Sequence, residues 1–165
     1  MDTKNKLKKQ VKLRPAKKED CKRLFFLFND STVRNNSLSL DKVEYKNHKA
    51  WFTSRLEDPD TILLVATIED SFVGQVRFDI DADRALTSIS IHKRFRGYGL
   101  GKVLLKDSLA YLKKKHPKIK FAVGQIKPSN IAAIKNTEFV GFKFDKTVEA
   151  KGVTVKQYLY DLKKE

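Results

Sequence analysis

The sequence predicts a mixed α/β fold: one sheet, part parallel and part antiparallel, with helices on both faces. Three observations carry this. Segments of helical periodicity alternate with short apolar or alternating segments over the 165 residues. Three strand-like segments follow one another in the middle, separated by turns and not by a helix. Later strand-like segments are separated by helical ones, which permits a parallel crossover.

In chain order, Val11 to Arg14 reads as a strand closed by Pro15, and a helix follows from Lys18 with Cys21, Leu24, Phe25 and Phe28 on one stripe. "NDSTVRNNSLS" (29–39) is polar and turn-rich, a loop or a broken helix. Asp41 with Glu44 forms a capping-box pattern for a helix running to about Leu56, striped by Tyr45, His48, Phe52 and Leu56. Thr61 to Thr67 reads as a buried strand, Gln75 to Ile80 as an alternating one and Leu86 to Ile91 as a third, with turns at "EDSFVG" and "DADR". A helix is expected from Gly101 to about Lys115, stopped by Pro117, then a strand at Phe121 to Ile126 and a helix at Pro128 to Phe139. The end reads as a hairpin, Phe142 to Val148 and Val153 to Tyr160, turning at "EAKG". No repeat or linker divides the chain, so residues 1–165 are expected to form one domain.

Composition narrows the function. The chain holds 35 Lys and Arg against 20 Asp and Glu, a net charge of +15. Such a field draws anions: nucleic acid, acidic membranes or phosphorylated small molecules. A plain solvated lysine surface is the competing account. No apolar run approaches the roughly 18 residues needed to cross a bilayer, and "MDTKNKLKKQ" has no apolar signal core. With Cys21 as the only cysteine, no internal disulfide can form, and a cytoplasmic location is expected. Cys21 itself reads as a core residue.

The most informative stretch is "HKRFRGYGLGK" (92–102), where a strand runs into a glycine-rich turn that opens a helix. It is not the dinucleotide fingerprint, because Lys102 stands where the third glycine belongs. Nor is it a Walker A loop, because Val103 follows Gly101-Lys102 and Arg96 replaces the first glycine. The first amides of a helix have no internal partner, and with the helix dipole they make an anion site. Glycines at 97, 99 and 101 would let a pyrophosphate approach the backbone.

"Arg94-Phe95-Arg96-Gly97-Tyr98-Gly99" resembles the [RQ]-x-x-G-x-[GA] motif of the GNAT superfamily of N-acetyltransferases. A second block, "NIAAIKNTEFVGF" (130–142), resembles that family's Asn-to-Gly-Phe helix, and the element order is similar from residue 11 to 160. The resemblance implies a splayed central sheet, acetyl-CoA as cosubstrate, a primary amine as acceptor, and no metal. It implies a CoA-binding set of Ile89, Ile91, Arg94, Arg96, Gly97, Tyr98, Gly99, Leu100, Gly101, Lys102 and Asn130. Ile89 and Ile91 would offer strand backbone to the pantetheine arm, and Asn130 would bond that arm or cap its own helix. The family often places a tyrosine where this chain has Thr137, so the proton donor to the leaving thiolate is open between Tyr158, Tyr160 and water.

Arg77, Asp79 and Asp81 share one strand face. Asp79 is a candidate base and Arg77 a substrate-side residue, against a simple solvated face. His92 suits proton transfer by its ordinary pKa, but a capping or surface role fits its place better. Asn29, Arg34, Asn36 and His48 are acceptor-side candidates, because the family places its acceptor near the first helices. Trp51 reads as core. The segments "NDSTVRNNSLS", "HKAWF", "GQVRFDI" and "QIKPSNIAAIK" resemble a GNAT branch acting on the 4-amino group of UDP-linked sugars in pseudaminic acid synthesis. A UDP-linked amino sugar is therefore one acceptor, with Arg34 suited to its diphosphate by fork geometry. A protein N-terminus or ribosomal protein is another acceptor. A non-catalytic CoA-binding domain and a basic nucleic-acid-binding domain are the remaining alternatives, although no recognition element for nucleic acid is present. A homodimer is compatible with all of them.

Overall fold

The computed structural model describes residues 2–164. A seven-stranded sheet runs through it in the order β1-β2-β3-β4-β5-β7-β6. The strands are β1 (Val11–Pro15), β2 (Thr61–Ile68), β3 (Ser71–Asp81), β4 (Arg84–Ile91), β5 (Phe121–Ile126), β6 (Lys143–Ala150) and β7 (Val153–Asp161). The helices are α1 (Thr3–Gln10), α2 (Cys21–Phe28), α3 (Ser31–Asn36), α4 (Tyr45–Glu57), α5 (Leu100–Lys115) and α6 (Ile131–Val140), with short 3-10 turns at 18–20 and 93–95. Every neighbouring pair is antiparallel except β4 with β5.

Strand alternation sorts the side chains into two cores. On one face Ile62, Leu64, Val76, Phe78, Ala85 and Ala122 meet the apolar stripe of α5, Leu100, Leu104, Leu105, Leu109 and Leu112. That i, i+4, i+5, i+9, i+12 spacing is one helical face. Thr137 near the end of α6 lies over β5, 3.8 Å from where a β-carbon on Gly124 would sit. On the other face Leu63 meets Leu24, Leu27 and Phe52 of α2 and α4.

The structure refines the sequence reading at five places. The first strand includes Pro15, which sits at the sheet edge where its missing N–H is not needed. The segment before it is a helix, α1, although it buries no residue; Asp2 caps it through Lys4 N, and Leu7 packs against the large core. The stretch 29–39, read as a loop or a broken helix, contains the short helix α3, capped by Asp30 at the amides of Thr32 and Val33. The capping box at Asp41 does not form. Asn29 grips Val43 from both sides, accepting from its N–H at 2.7 Å and donating to its carbonyl at 2.9 Å, so the chain stays extended and α4 begins at Tyr45. The middle strands also run longer than alternation suggested. Their turns shrink to two residues each, with positive φ at Glu69 and Ala82.

Candidate active site

β4 and β5 pair only from Arg84–Phe121 to Thr87–Gly124, although β4 continues to Ile91 and β5 to Ile126. Past Thr87, β4 bonds only to β3, and β5 only to β7. The sheet therefore opens into a slot, and residues 88–91 present an unpaired strand edge into it. Ile89 and Ile91 turn their side chains to the large core, and of their backbone groups the Ile91 carbonyl is taken by Arg96 Nε at 2.9 Å. Gly74 lets the end of β4 lie close to β3: a β-carbon there would stand 2.2 Å from the Ser90 carbonyl oxygen.

The slot leads to the glycine loop. Gly97 (φ +81°) and Gly99 (φ +75°) adopt left-handed backbone that side-chain-bearing residues avoid. Gly99 precedes α5 and offers no side-chain cap. Among the described residues, no acceptor serves the amides of Gly97 to Gly101. An anionic diphosphate fits there, because free amides and the positive end of a 16-residue helix converge. Tyr98 and Leu100 contribute backbone to this loop while their side chains pack on the core. Lys102 sits over Phe139, 4.1 Å from the ring centroid, and Arg94 over Phe95. Asn130 caps α6 through Ala133 N at 3.2 Å.

Two members of the expected phosphate set have other work. Arg96 donates from Nε to the Ile91 carbonyl (2.9 Å) and pairs with Asp30 (2.7 Å), so its charge is spent inside the protein. Gly101 faces α6, where a β-carbon would meet the Asn136 amide at 2.7 Å; its smallness serves helix packing.

The acceptor side is roofed by α3. Its first end is tied to the end of β4 through Asp30, Arg96 and the Ile91 carbonyl. Its last turn is tied to the end of β5, where Lys127 Nζ donates to the Asn35 carbonyl at 2.9 Å. The short helix thus spans both lips of the slot. Asn36 is exposed on it.

The other acceptor-side expectations do not hold in this geometry. His48 is 1% exposed, and its Nε2 lies 2.8 Å from the Cys21 carbonyl. Burial pushes its pKa down, against the opposing hydrogen bond it makes to the Cys21 carbonyl. It stacks on Phe52 within the second core and reaches no ligand. Asn29 uses both ends of its amide on Val43. Arg34 donates to the carbonyls of Ser39 and Asp41 and to Ser37 Oγ, holding the loop after α3 rather than a diphosphate.

Asp79 also moves out of the chemistry. It lies opposite Leu86, at the closed end of the β4–β5 pairing, and accepts from Arg77 Nε at 2.9 Å. At about 3.3 Å per residue it stands several ångströms short of the slot. Arg77 lies opposite Ser88, at the slot's first open position, with its guanidinium 5.3 Å from the Trp51 ring centroid. Sequence reasoning passed over Ser88 and Ser90, which share that face with Arg77 and Gln75. Only the register of β3 on β4 reveals them.

Tyr158 is 2% exposed and its hydroxyl donates weakly to Glu138 at 3.4 Å. Burial, then the Glu138 charge and hydrogen bond, raise its pKa, so it stays protonated. Its ring packs on Phe144 and in the core, and its partner Glu138 follows Thr137 on α6. This is a packing residue. His92 caps the 3-10 turn, accepting from Arg94 N at 3.3 Å. Burial and its cationic neighbours lower its pKa, so it is neutral near pH 7. Among the described residues no group of His, Cys, Asp and Glu is placed to hold a metal ion. No helix there is long and apolar enough to cross a membrane.

The family model for the acetyltransferase (GNAT) domain matches residues 32–158. The chain belongs to the GNAT acetyltransferase family. It is an acetyl-CoA-dependent N-acetyltransferase of that type. Its fold is similar to spermidine N-acetyltransferase from Vibrio cholerae, solved with CoA and spermine, at TM-score 0.83 and 16% identity over 93% of this chain and 96% of that one. It is similar to AAC(6')-Ib solved with ribostamycin and coenzyme A, at TM-score 0.79 and 18% identity over 92% and 93% of the two chains. An N-acetyltransferase from Staphylococcus aureus Mu50 gives TM-score 0.78 and 24% identity over 93% and 99%. No curated protein matches this GNAT chain in sequence.

Proposed function

We propose that this enzyme acetylates the primary amine of a small, negatively charged acceptor, with a nucleotide-linked amino sugar as the leading candidate. The α3 bridge carries this reading. By joining the ends of β4 and β5, it supports a closed pocket for a small molecule over an open groove for a peptide. The charge of +15 supports an anion. Two fold neighbours, the spermidine and AAC(6')-Ib enzymes, were solved with spermine, a polyamine, and ribostamycin, an aminoglycoside with several amino groups. Such polycations would meet an unfavourable field here.

In this reading the free amine attacks the thioester carbon of acetyl-CoA, the C–S bond breaks, CoA leaves as thiolate, and the proton the nitrogen loses ends on that sulfur. The loop amides from Gly97 to Lys102 hold the diphosphate, the open edge of β4 at 88–91 aligns the pantetheine arm, and Asn130 borders it. The acceptor must arrive as the free amine, because an ammonium has no lone pair to attack with. With Asp79 at the closed end and Tyr158 turned to Glu138, proton transfer falls to water at the Ser88–Ser90 edge.

The test is release of free thiol from acetyl-CoA with equal concentrations of a UDP-linked 4-amino sugar, spermidine, ribostamycin and an N-terminal peptide. The nucleotide sugar should turn over fastest. Turnover on the peptide alone would replace this reading with a protein acetyltransferase. Turnover on spermidine or ribostamycin alone would remove the requirement for an anion.

A further inference from the structure

Across the slot from β4 runs a line of polar side chains that the chemistry described so far leaves unused. Gln125 Nε2 donates to Gln157 Oε1 at 3.0 Å, and Gln157 Nε2 donates to Asp145 Oδ2 at 2.9 Å. The three belong to β5, β7 and β6, on the sheet face opposite the one that carries Tyr158. A bulge supplies the third: between Phe144 and Lys146 the register of β6 shifts, and Asp145, the extra residue, is aimed at Gln157. The far end of the line sets its direction. A carboxylate has no proton to donate, so Gln157 offers Asp145 its NH2 and turns its oxygen to Gln125. Gln125 then offers its own NH2, and Gln125 Oε1 is left as the free end. Among the described residues nothing donates to that oxygen, and Gln125 is half-buried.

Gln125 stands where the strands part. The last pair of β4 with β5 is Thr87–Gly124, so the next position sets Ser88 against Gln125 on one sheet face, with Arg77 opposite Ser88 on β3. Lys127, two residues further on and of the same parity, is tied to α3 over that face. With the diphosphate on the glycine loop and the pantetheine arm running along β4 from Ile91 towards Ser88, the thioester end of the cosubstrate arrives at the same point.

We infer that Gln125 Oε1 accepts an N–H of the attacking amine, and that Gln157 and Asp145 are positioning residues that keep this oxygen turned to the slot. The inference rests on the acetyl-transfer reading and adds to it the group that meets the nucleophile. An amine attacks through its lone pair, so an acceptor on one N–H leaves that pair free to face the thioester carbon. A reversed amide would present N–H groups, which bind the lone pair and block attack. As the N–C bond forms, the nitrogen becomes positive and its hydrogen bond to Gln125 strengthens. Gln125 takes no proton; that proton leaves through water for the CoA sulfur.

The experiment measures thiol release by the full chain with a UDP-linked 4-amino sugar, spermidine, ribostamycin and an N-terminal peptide, beside calorimetric titration of acetyl-CoA. Wild type is compared with Gln125→Met, Asp145→Asn, the double variant, and Glu149→Gln, which removes another exposed charge from β6. Methionine keeps the length of glutamine and loses the oxygen. Gln125→Met should lower kcat/KM for the amine by about 10- to 100-fold, the scale of a hydrogen bond to a charged group, with acetyl-CoA binding unchanged. Asparagine at 145 can donate, which releases Gln157 to turn round, so Asp145→Asn should lower the same quantity several-fold. Asp145 is exposed, so this variant is readable even where Gln125→Met folds poorly. The double variant should lose no more than Gln125→Met, because Asp145 acts only through Gln125. Glu149→Gln should match wild type. Wild-type amine kinetics in Gln125→Met, losses that multiply in the double variant, or weakened acetyl-CoA binding that accounts for the whole effect would each overturn the inference. The comparison is read on whichever amine turns over, so it holds or fails apart from which acceptor wins. Thiol release by wild type with none of the four would overturn the acceptor reading, and this inference with it.

Discussion

Arg96 and Asp30 are 66 residues apart in the chain and meet at 2.7 Å. The same guanidinium holds the Ile91 carbonyl, and the same carboxylate oxygen caps α3 at Thr32 and Val33. One pair thus joins the glycine loop to the short helix that spans the slot. Asp30→Ala should cost about 1–2 kcal/mol through the lost cap and pair. It should also weaken CoA binding, because the loop loses its anchor. Asp30→Asn keeps an oxygen for the cap and should cost less. Burial alone would raise the Asp30 pKa, but the Arg96 hydrogen bond, the Val33 and Thr32 amides and the Arg96 charge together lower it. Its folded pKa is below its unfolded value, so its stabilisation is present above about pH 4 and fades as pH falls through the folded pKa. Urea melts of wild type and Asp30→Asn should therefore differ at pH 7 and converge in acid. A gap unchanged down to the acid limit would mean the charge plays no part.

The loop glycines should separate by role. Gly97→Val and Gly99→Val force a β-branched residue into left-handed backbone, at about 1–2 kcal/mol of strain each, and place bulk on the diphosphate side. Gly101→Ala clashes only with the Asn136 side-chain amide, which can move, and makes ordinary contact with Ile91. A ligand at 100 times its Kd stabilises by about 2.7 kcal/mol, so wild type and Gly101→Ala should show a thermal shift with acetyl-CoA. The two valine variants should fold and show none. A wild-type shift in Gly99→Val would put the diphosphate elsewhere.

The sheet, its helices and the glycine loop were legible because period-2 and period-3.6 patterns and the strand–glycine–helix order are local signals. What was not legible depends on contacts far apart in sequence. α1 has no apolar face to announce it, only Asp2 as a cap and Leu7 as an anchor. His48 and Asn29 carry polar atoms that suit ligands, yet their partners are the Cys21 carbonyl and the Val43 backbone. Arg96 lies inside the cofactor motif, but its partner is on α3. Asp79 lies on the right strand face at the wrong height, and height is set by where β4 and β5 part. Asp30 followed by Ser31 and Thr32 is a local helix-cap signal, as Asp2 is for α1.

Neither Thr137 nor Tyr158 should behave as a general acid. Thr137 is largely buried beside Gly124, and a threonine hydroxyl is a poor proton donor at neutral pH. Tyr158 directs its proton to Glu138. Thr137→Ala and Tyr158→Phe should each change kcat by less than about tenfold, below the 10²–10⁴ range typical of a general acid. Thiol release at saturating acetyl-CoA measures this, and a hundredfold loss in either variant would make that hydroxyl the donor.

His48 should govern stability and its pH dependence, not acceptor affinity. Removing the ring leaves a hole among Phe25, Phe28, Trp51 and Phe52 and strips the Cys21 carbonyl of its donor. His48→Ala should therefore cost about 2–4 kcal/mol, with the KM for the acceptor little changed in the folded fraction. Burial lowers the folded pKa of His48 below the ordinary value of 6.5. The unfolded chain then binds the proton more readily than the folded one. Stability is at its plateau above about pH 6.5 and falls as pH drops below it. His92 is shifted in the same direction and adds to the slope. The measurement is chemical denaturation from pH 8 to pH 5 for wild type, His92→Asn, and the His48→Gln, His92→Asn pair. Asparagine keeps a capping oxygen at 92, and glutamine keeps a donor at 48, so both variants remove the titration and leave a fold to measure. The wild-type slope should shrink in the first variant and nearly vanish in the second. A slope that survives both substitutions would assign the acid sensitivity to other groups, and an acceptor KM that rises with His48→Gln at constant stability would return His48 to the substrate pocket.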